Sequence, residues 1–146
     1  MFDPVVRPAR AADAAELIWL EALARDALTV RRGGQRWLAT HRPRGVSWPE
    51  VIDRGWVFVA QIDAVIVGYL AASVVGELLQ VDEVFVHEQA RQVGFGDELL
   101  GAAVMAGRAA GLKLLEGEAL PGDRDTKNLY ERAGIKARLI TVSTEL

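Results

Sequence analysis

The stretch FVHEQARQVGFGDELL, residues 85–100, leads from a run of apolar, β-favouring residues into a helical pattern through a loop with two glycines. Gly94 and Gly96 stand where the helix should begin. The first N–H groups of a helix lack intrahelical partners, and the helix dipole is positive there. Because glycine has no Cβ, a negatively charged group can approach these N–H groups closely. The loop therefore predicts an anion site of the kind that suits a pyrophosphate.

Two nucleotide-binding motifs do not fit this loop. A GxGxxG dinucleotide site needs a glycine three residues after Gly96, where the chain has Leu99. A P-loop needs a lysine followed by Ser or Thr after the last glycine, and none follows here. An ordinary strand-to-helix turn with incidental glycines remains the competing interpretation.

Composition limits the class of protein. The chain has 146 residues, of which 51% are hydrophobic and 25% charged, and this length suits one domain over residues 1–146. The formal charge of −3 disfavours nucleic acid as a partner, since proteins that bind it usually carry a basic balance. No run approaches the roughly 20 apolar residues of a membrane span, and no apolar segment of signal-peptide length begins the chain. We therefore expect a soluble, cytoplasmic protein without membrane contact.

The side chains available for metal binding are few. The chain contains no cysteine, which excludes disulfides, thiolate metal ligands and a thiol nucleophile. Its two histidines, His41 and His87, lie far apart and outside any HExxH pattern. We therefore expect no structural or catalytic metal.

Hydrophobic periodicity predicts one mixed α/β unit in the order β α (α) β β β α β α β. Asp13 and Glu16 have capping-box spacing at the start of the first helix. The predicted segments are a strand at residues 5–7, a helix at about 14–27, short helical pieces within 29–55, a hairpin turning at 62–64, a strand within 76–88, a helix at about 95–111, a strand at 113–120, a helix at 125–133 and a final strand at 135–146.

Two separate motifs in this order resemble the GNAT superfamily of N-acetyltransferases. FVHEQARQVGFGDELL is similar to the segment in which a strand leads into R/Q-x-x-G-x-G/A and a helix with paired leucines. NLYERAGI, residues 128–135, is similar to the family's LYeklGF segment. The resemblance covers essentially the full length. It implies an α/β (α+β) fold with a mostly antiparallel central sheet, splayed central strands and flanking helices.

The resemblance also implies an acyltransferase that uses acetyl-coenzyme A as co-substrate. The pyrophosphate would lie in the loop from Arg91 to Gly96. The pantetheine arm would run between the third and fourth sheet strands, which splay apart and of which the segment within 76–88 is the third, and would pair with the backbone around Val84 to Val86 like an added strand. Asp123 stands where many relatives have an asparagine that contacts coenzyme A. A carboxylate cannot donate as an amide does, so we expect Asp123 to cap a helix and Asn128 to be the substitute contact. The implied cofactor-binding residues are Val84, Phe85, Val86, Arg91, Gln92, Val93, Gly94, Phe95, Gly96 and Asn128.

Departures from the family pattern fall in the loop itself. Gln92 and Val93 stand where the family usually has a glycine and a basic residue. We therefore expect phosphate binding to depend on backbone N–H groups.

Attack of an amine on a thioester needs a base for the amine, donors for the carbonyl oxygen and a proton for the departing thiolate. Tyr130 aligns with a tyrosine that relatives often place beside the thioester sulfur, and the resemblance makes it the candidate acid. An ordinary position on a short amphipathic helix is the competing interpretation.

Asp82 and Glu83 are the candidate bases, because charged side chains in a strand expected to be buried need a reason to be there. Asp82 is the first choice, since several relatives carry a base or substrate anchor four residues before the position of Val86. Alternation places Gln80, Asp82 and Val84 on one face and Glu83 on the other, and a bulge would exchange the faces. A surface carboxylate or half of an ion pair is the competing interpretation.

The acceptor is expected to be an amine of a small molecule or a protein, bound by the arginine- and tryptophan-rich segment 29–56. That segment has a competing interpretation as a solvated basic surface. Two rival functions stay open: a coenzyme A-binding domain without catalysis, which serves as a sensor or partner, and a structural or dimerisation module without a ligand. Homodimerisation is compatible with each of them.

Overall fold

The structure is a computed structural model that describes residues 4–91 and 93–146. Within this part of the chain, five strands form one sheet in the order β1-β2-β3-β4-β5. Neighbouring strands are antiparallel except β4 and β5, which are parallel. The strands are β1 (Pro4–Pro8), β2 (Val57–Ile62), β3 (Val65–Val75), β4 (Leu78–Val86) and β5 (Leu114–Gly117). The helices are α1 (Ala14–Leu28), α2 (Gly34–Thr40), α3 (Trp48–Asp53), α4 (Phe95–Ala109) and α5 (Arg124–Arg132).

Helices cover both faces of the sheet, as the mixed α/β prediction required. On one face, α1 and α3 form a core that includes Leu17, Leu20, Trp48, Val59 and Tyr69. On the other face, α4 and α5 form a core that includes Phe58, Leu79, Leu99, Leu100 and Leu129. The leucines of α1 recur at helical spacing, and full burial of each contributes about 1.5–3 kcal/mol. No helix in residues 4–91 and 93–146 has the length and apolar character to cross a membrane.

The predicted hairpin is confirmed. Ile62 pairs with Val65, and the two residues between them, Asp63 and Ala64, have φ angles of 48° and 69°. Two positive φ values match the two-residue turns that suit the right-handed twist of antiparallel strands.

The predicted capping box at α1 is wrong. Asp13 accepts from the Arg10 N–H at 2.7 Å and from two guanidinium nitrogens of Arg7 at 2.8 and 3.0 Å. Glu16 accepts from the Ile66 N–H of β3 at 3.1 Å. Both carboxylates therefore join the helix start to the sheet, because those donors compete successfully with the N–H groups of the helix itself.

The predicted final strand is also wrong. Residues 136–146 form neither helix nor strand, and most are exposed. Their alternation of apolar and polar residues favours a strand, but a strand is stabilised by its ladder, and the described chain supplies no partner for this one.

Candidate active site

Strands β4 and β5 separate partway along the sheet, and a cavity opens at that point. They pair only from Leu78 with Leu114 to Val81 with Gly117. Beyond Val81, β4 continues to Val86 and pairs only with β3. The cavity has a volume of about 630 Å³ and is lined along this edge by Gln80 to Val86 and by Glu118, Ala119 and Leu120. An edge of unpaired backbone beside a cavity can pair with an extended, amide-containing ligand.

A β-bulge at Asp82 changes the direction of the side chains in β4. Ala71 of β3 pairs with Glu83 and Ala72 pairs with Val81, so Asp82 is the extra residue. Before the bulge, Leu79 and Val81 face the core beneath α4, and after it Val84 and Val86 do. Glu83 and Phe85 therefore face α1. The predicted grouping of Gln80 with Val84 on one face is wrong, because the bulge exchanges the faces between them.

The glycine loop begins α4 at the other end of the cavity. Gly94 has a φ of 84°, and a Cβ there would meet nothing within 4 Å. A Cβ on Gly96 would meet only Leu129 side-chain atoms at 3.5 and 3.7 Å. The space beside Gly94 is therefore open, and Gly96 lies on the cavity wall, which fits the binding of a diphosphate at the first-turn N–H groups.

Seven of the residues proposed to bind cofactor line this cavity. They are Val84, Phe85, Val86, Arg91, Phe95, Gly96 and Asn128. Val93 and Gly94 lie next to Phe95 in the loop, and Gln92 lies outside the described residues.

Contacts within the protein hold two charged residues beside the loop. Arg91 donates from Nε to the Val86 carbonyl at 3.1 Å, and its Nη1 lies 3.6 Å from a carboxylate oxygen of Asp125. Asp123 accepts from the Thr126 N–H at 3.2 Å and so caps α5, as predicted.

Tyr130 lies at the point where β4 and β5 separate. It is 9% exposed, and its hydroxyl lies directly against Gly117, the last residue of β5. Burial, followed by the charges of Glu118, Asp123 and Asp82, raises the pKa of Tyr130 to about 12. The phenol therefore keeps its proton near neutral pH, as a proton donor must.

Asp82 and Glu83 have different environments although they are neighbours. Asp82 is exposed on the cavity wall, where partial burial still raises the pKa of its carboxyl. The Glu83 side chain is 11% exposed, and its Oε1 accepts from Arg44 Nη1 at 2.8 Å. Burial raises the pKa of Glu83, and Arg44 acts in the opposite direction.

Two further residues, Glu21 and Tyr69, lie beside this pair, and neither was predicted as a site residue from the sequence. Glu21 of α1 is buried and accepts from Arg44 Nη1 at 2.9 Å. The Tyr69 hydroxyl is buried without a hydrogen-bond partner among the described residues. Burial and the nearby Glu83 charge raise its pKa well above the usual value. Glu21 stands four residues after Leu17, within the apolar face of α1. A charged residue at this spacing predicts a buried carboxylate, so the sequence did contain a sign of it.

The arginine-rich segment forms the remaining wall. The rings of Trp37 and His41 stack with centroids 4.2 Å apart, and Arg25 donates to the His41 carbonyl at 2.7 Å. Arg31, Trp37, His41, Arg42 and Arg44 line the cavity. Trp48 instead belongs to the core, and Arg32 and Arg36 are exposed away from the cavity lining. Among the described residues, no group of three or more acidic, histidine or cysteine side chains is arranged to hold a metal ion.

Comparison with known proteins places this geometry in a family. The profile described as "Acetyltransferase (GNAT) domain" matches residues 53–135, more than half of the chain. A search of curated proteins gave no significant match.

Several solved structures have the same fold. Ribosomal-protein-alanine N-acetyltransferase from Brucella melitensis biovar Abortus 2308 superposes with a TM-score of 0.73 and 21% identity, over 100% of this chain and 99% of that one. PaiA N-acetyltransferase from Thermoplasma acidophilum in complex with coenzyme A gives 0.77 and 12%, over 93% and 91%. The aminoglycoside N-acetyltransferase AAC(6')-Iy in complex with CoA gives 0.72 and 16%, over 100% and 97%. The chain therefore belongs to the GNAT family of acetyltransferases, and with it to the acyltransferase class of enzymes.

Proposed function

We propose that this protein transfers the acetyl group of acetyl-coenzyme A to a primary amine of a small molecule or a protein, by direct attack of the amine. The observation that carries the proposal is the cavity between β4 and β5. Its wall includes the unpaired edge of β4 and the start of α4, the two features that a pantetheine arm and a diphosphate require.

In this proposal, Asp82 takes the proton of the amine. It stands on the cavity wall at the bulge, whereas the carboxylate of Glu83 is already paired with Arg44. The negative charge of Asp82 contributes to the raised pKa of Tyr130, so the two groups lie within electrostatic range of each other. A base must lie within hydrogen-bond reach of the proton that it removes, directly or through one water.

Tyr130 is the proposed acid for the departing thiolate. Its hydroxyl lies against Gly117, one residue before Glu118 of the cavity wall, whereas the Tyr130 ring belongs to the core and is not among the lining residues. The N–H groups at the start of α4 are proposed to hold the diphosphate, and the backbone of Val84 to Val86 the amide-containing arm.

The test is release of coenzyme A from acetyl-coenzyme A, measured against a panel that includes aminoglycosides, polyamines, amino acids and N-terminal peptides. Asp82→Asn should reduce kcat/KM by about 10²–10⁴, and Glu83→Gln should have a smaller effect. Equal losses would remove the assignment of Asp82 as the base. Stabilisation by acetyl-coenzyme A without turnover of any amine would favour a binding domain; a ligand at a hundred times its Kd adds about 2.7 kcal/mol.

A further inference from the structure

A buried ion cluster centred on Glu21, which is only 2% exposed, lies behind the part of the cavity wall formed by Arg44 and Glu83. The Glu21 carboxylate accepts from two nitrogens of Arg44, the backbone N–H and Nη1, both at 2.9 Å. It also accepts from the Gly45 N–H at 3.1 Å and from Trp48 Nε1 at 3.2 Å. Four donors from residues 44–48 therefore converge on a single carboxylate of α1.

Arg44 connects this anchor to β4. The same Nη1 that donates to Glu21 also donates to Glu83 at 2.8 Å. The guanidinium carbon lies 5.0 Å from the centre of the Trp48 ring. Two carboxylates and an aromatic ring thus fix the guanidinium, so its position relative to Glu83 is set by α1 as well as by β4.

The Asp82–Glu83 pair depends on its surroundings for its charge, because burial disfavours the ionised form of both carboxyls. The groups that face the pair are Glu21 from α1, His41 and Arg44 from the segment after α2, Tyr69 and Ser73 from β3, and Glu118 after β5. Among these, Arg44 acts on both carboxyls in the direction of ionisation. Removal of this one cation would therefore leave both carboxyls closer to the protonated state.

We propose that Arg44, anchored by Glu21, is a positioning residue that holds Glu83 and favours the charged form of the Asp82–Glu83 pair, from which the proposed base comes. The proposal rests on the proposed function, in which a carboxylate of this pair removes the amine proton. A protonated pair cannot accept that proton. Loss of Arg44 should therefore move activity to higher pH, where both carboxyls ionise without help.

The experiment compares wild type with Arg44→Gln and Arg44→Lys. Arg36→Gln, on the exposed surface of α2, is the matched control. Carboxyl carbon NMR follows the titration of Asp82 and Glu83, whose signals are assigned with Asp82→Asn and Glu83→Gln. The pH profile of kcat/KM is measured in parallel with the best amine of the panel. Amide spectra establish that each variant is folded.

In Arg44→Gln, the titrations of Glu83 and Asp82 should both move to higher pH, and the acidic limb of kcat/KM should move with that of Asp82, the proposed base. The loss should be largest at the acidic end of the profile and should shrink as the pH rises, since each pH unit below a pKa removes about nine-tenths of the ionised form. Arg44→Lys should shift both readouts less, in the same direction, and it replaces Arg44→Gln if the latter does not fold. The Arg36→Gln control should match wild type.

Unchanged titration of Glu83 in a folded Arg44 variant would overturn the proposal, as would a loss of activity that is uniform across pH. A shifted titration of Asp82 with an unshifted acidic limb would overturn the catalytic part of the proposal and would show that Asp82 is not the base. Absence of turnover with every amine would count against the proposed function alone, because the NMR titration does not require turnover.

Discussion

Gly117 is the position at which one added methyl group should most directly test the placement of Tyr130. A Cβ on Gly117 would lie 2.5 Å from Cζ and 3.0 Å from Cε1 of the tyrosine ring, and closer still to its hydroxyl. Non-bonded carbon atoms need at least about 3.5 Å, so in Gly117→Ala the ring must move by about 1 Å. Tyrosine cannot bend away as a flexible side chain would, because its ring is planar and 9% exposed.

The expected change in stability is the difference between two effects. Overpacking of a well-packed site destabilises by about 1–3 kcal/mol. Replacement of a strand glycine by alanine recovers about 0.5–1 kcal/mol of backbone entropy. Gly117→Ala should therefore lower the free energy of unfolding by about 1–2 kcal/mol and the Tm by roughly 2–8 °C.

Thermal and urea denaturation of the substitution in two backgrounds measures this contact. In Tyr130→Leu, which removes the ring, Gly117→Ala should be neutral or slightly stabilising, so that the double-mutant cycle gives a coupling of about 1–3 kcal/mol. Gly101→Ala, where an added Cβ meets nothing within 4 Å on the exposed side of α4, is the control and should stabilise by about 0.5–1 kcal/mol. Equal effects of Gly117→Ala in both backgrounds would refute the contact.

Three further outcomes are expected. Gly96→Ala, whose Cβ would meet only Leu129, should fold and retain coenzyme A binding. Gly96→Glu should lose most of it, because a negative charge would stand on the cavity wall at the proposed diphosphate site. Calorimetry of both variants decides, and tight binding by Gly96→Glu would place the phosphates elsewhere. Burial raises the pKa of Asp13, but the hydrogen bonds from Arg7 and the Arg10 N–H outweigh it and hold the pKa below the usual 3.8. The Asp13 carboxylate therefore stabilises the fold above pH 3.8, and this stabilisation is lost as the pH falls through the lower pKa of the folded state. Urea unfolding of Asp13→Asn should accordingly show a loss of about 1.5–3 kcal/mol near neutral pH that disappears in strong acid, and a loss independent of pH would contradict the ion pair. Since the pKa of Tyr130 is about 12, the pH profile of wild-type kcat should show no decline from phenol ionisation up to about pH 10. Tyr130→Phe should lower kcat by about 10²-fold or more, and an unchanged kcat would exclude the tyrosine as the acid.

Local patterns in the sequence were enough to predict most helices and strands. The helical spacing of Leu17, Leu20 and Ala24, the positive-φ turn at Asp63 and the glycines before α4 all act within a few residues of one another. These features arise from residue preferences in turns, from the apolar face of an amphipathic helix and from residue preferences at helix ends. All three can be recognised in a single sequence. The capping of α5 by Asp123 belongs to the same class.

Features that depend on a partner distant in sequence were not predictable in this way. The bulge in β4 arises from pairing with β3, so from alternation alone the exchange of faces could only be raised as an alternative. From the sequence, Arg44 is expected to be an exposed arginine of a basic segment. Its partners are Glu21, 23 residues earlier, and Glu83, 39 residues later, so no local pattern predicts the contacts. The segment after Ile135 has the composition of a strand but pairs with no strand of the described chain, so its composition alone gave the wrong prediction.

The convergence of four donors on Glu21 has a consequence for engineering of the acceptor range. Hydrogen bonds to this carboxylate hold residues 44–48 against α1. Insertions or deletions within residues 44–48 would therefore disturb the contact between Arg44 and Glu83 along with the wall of the cavity. His41 and Arg42 line the same wall without belonging to that attachment. A mutant library intended to change which amine is accepted should therefore randomise His41 and Arg42 and leave Glu21 and Arg44 fixed.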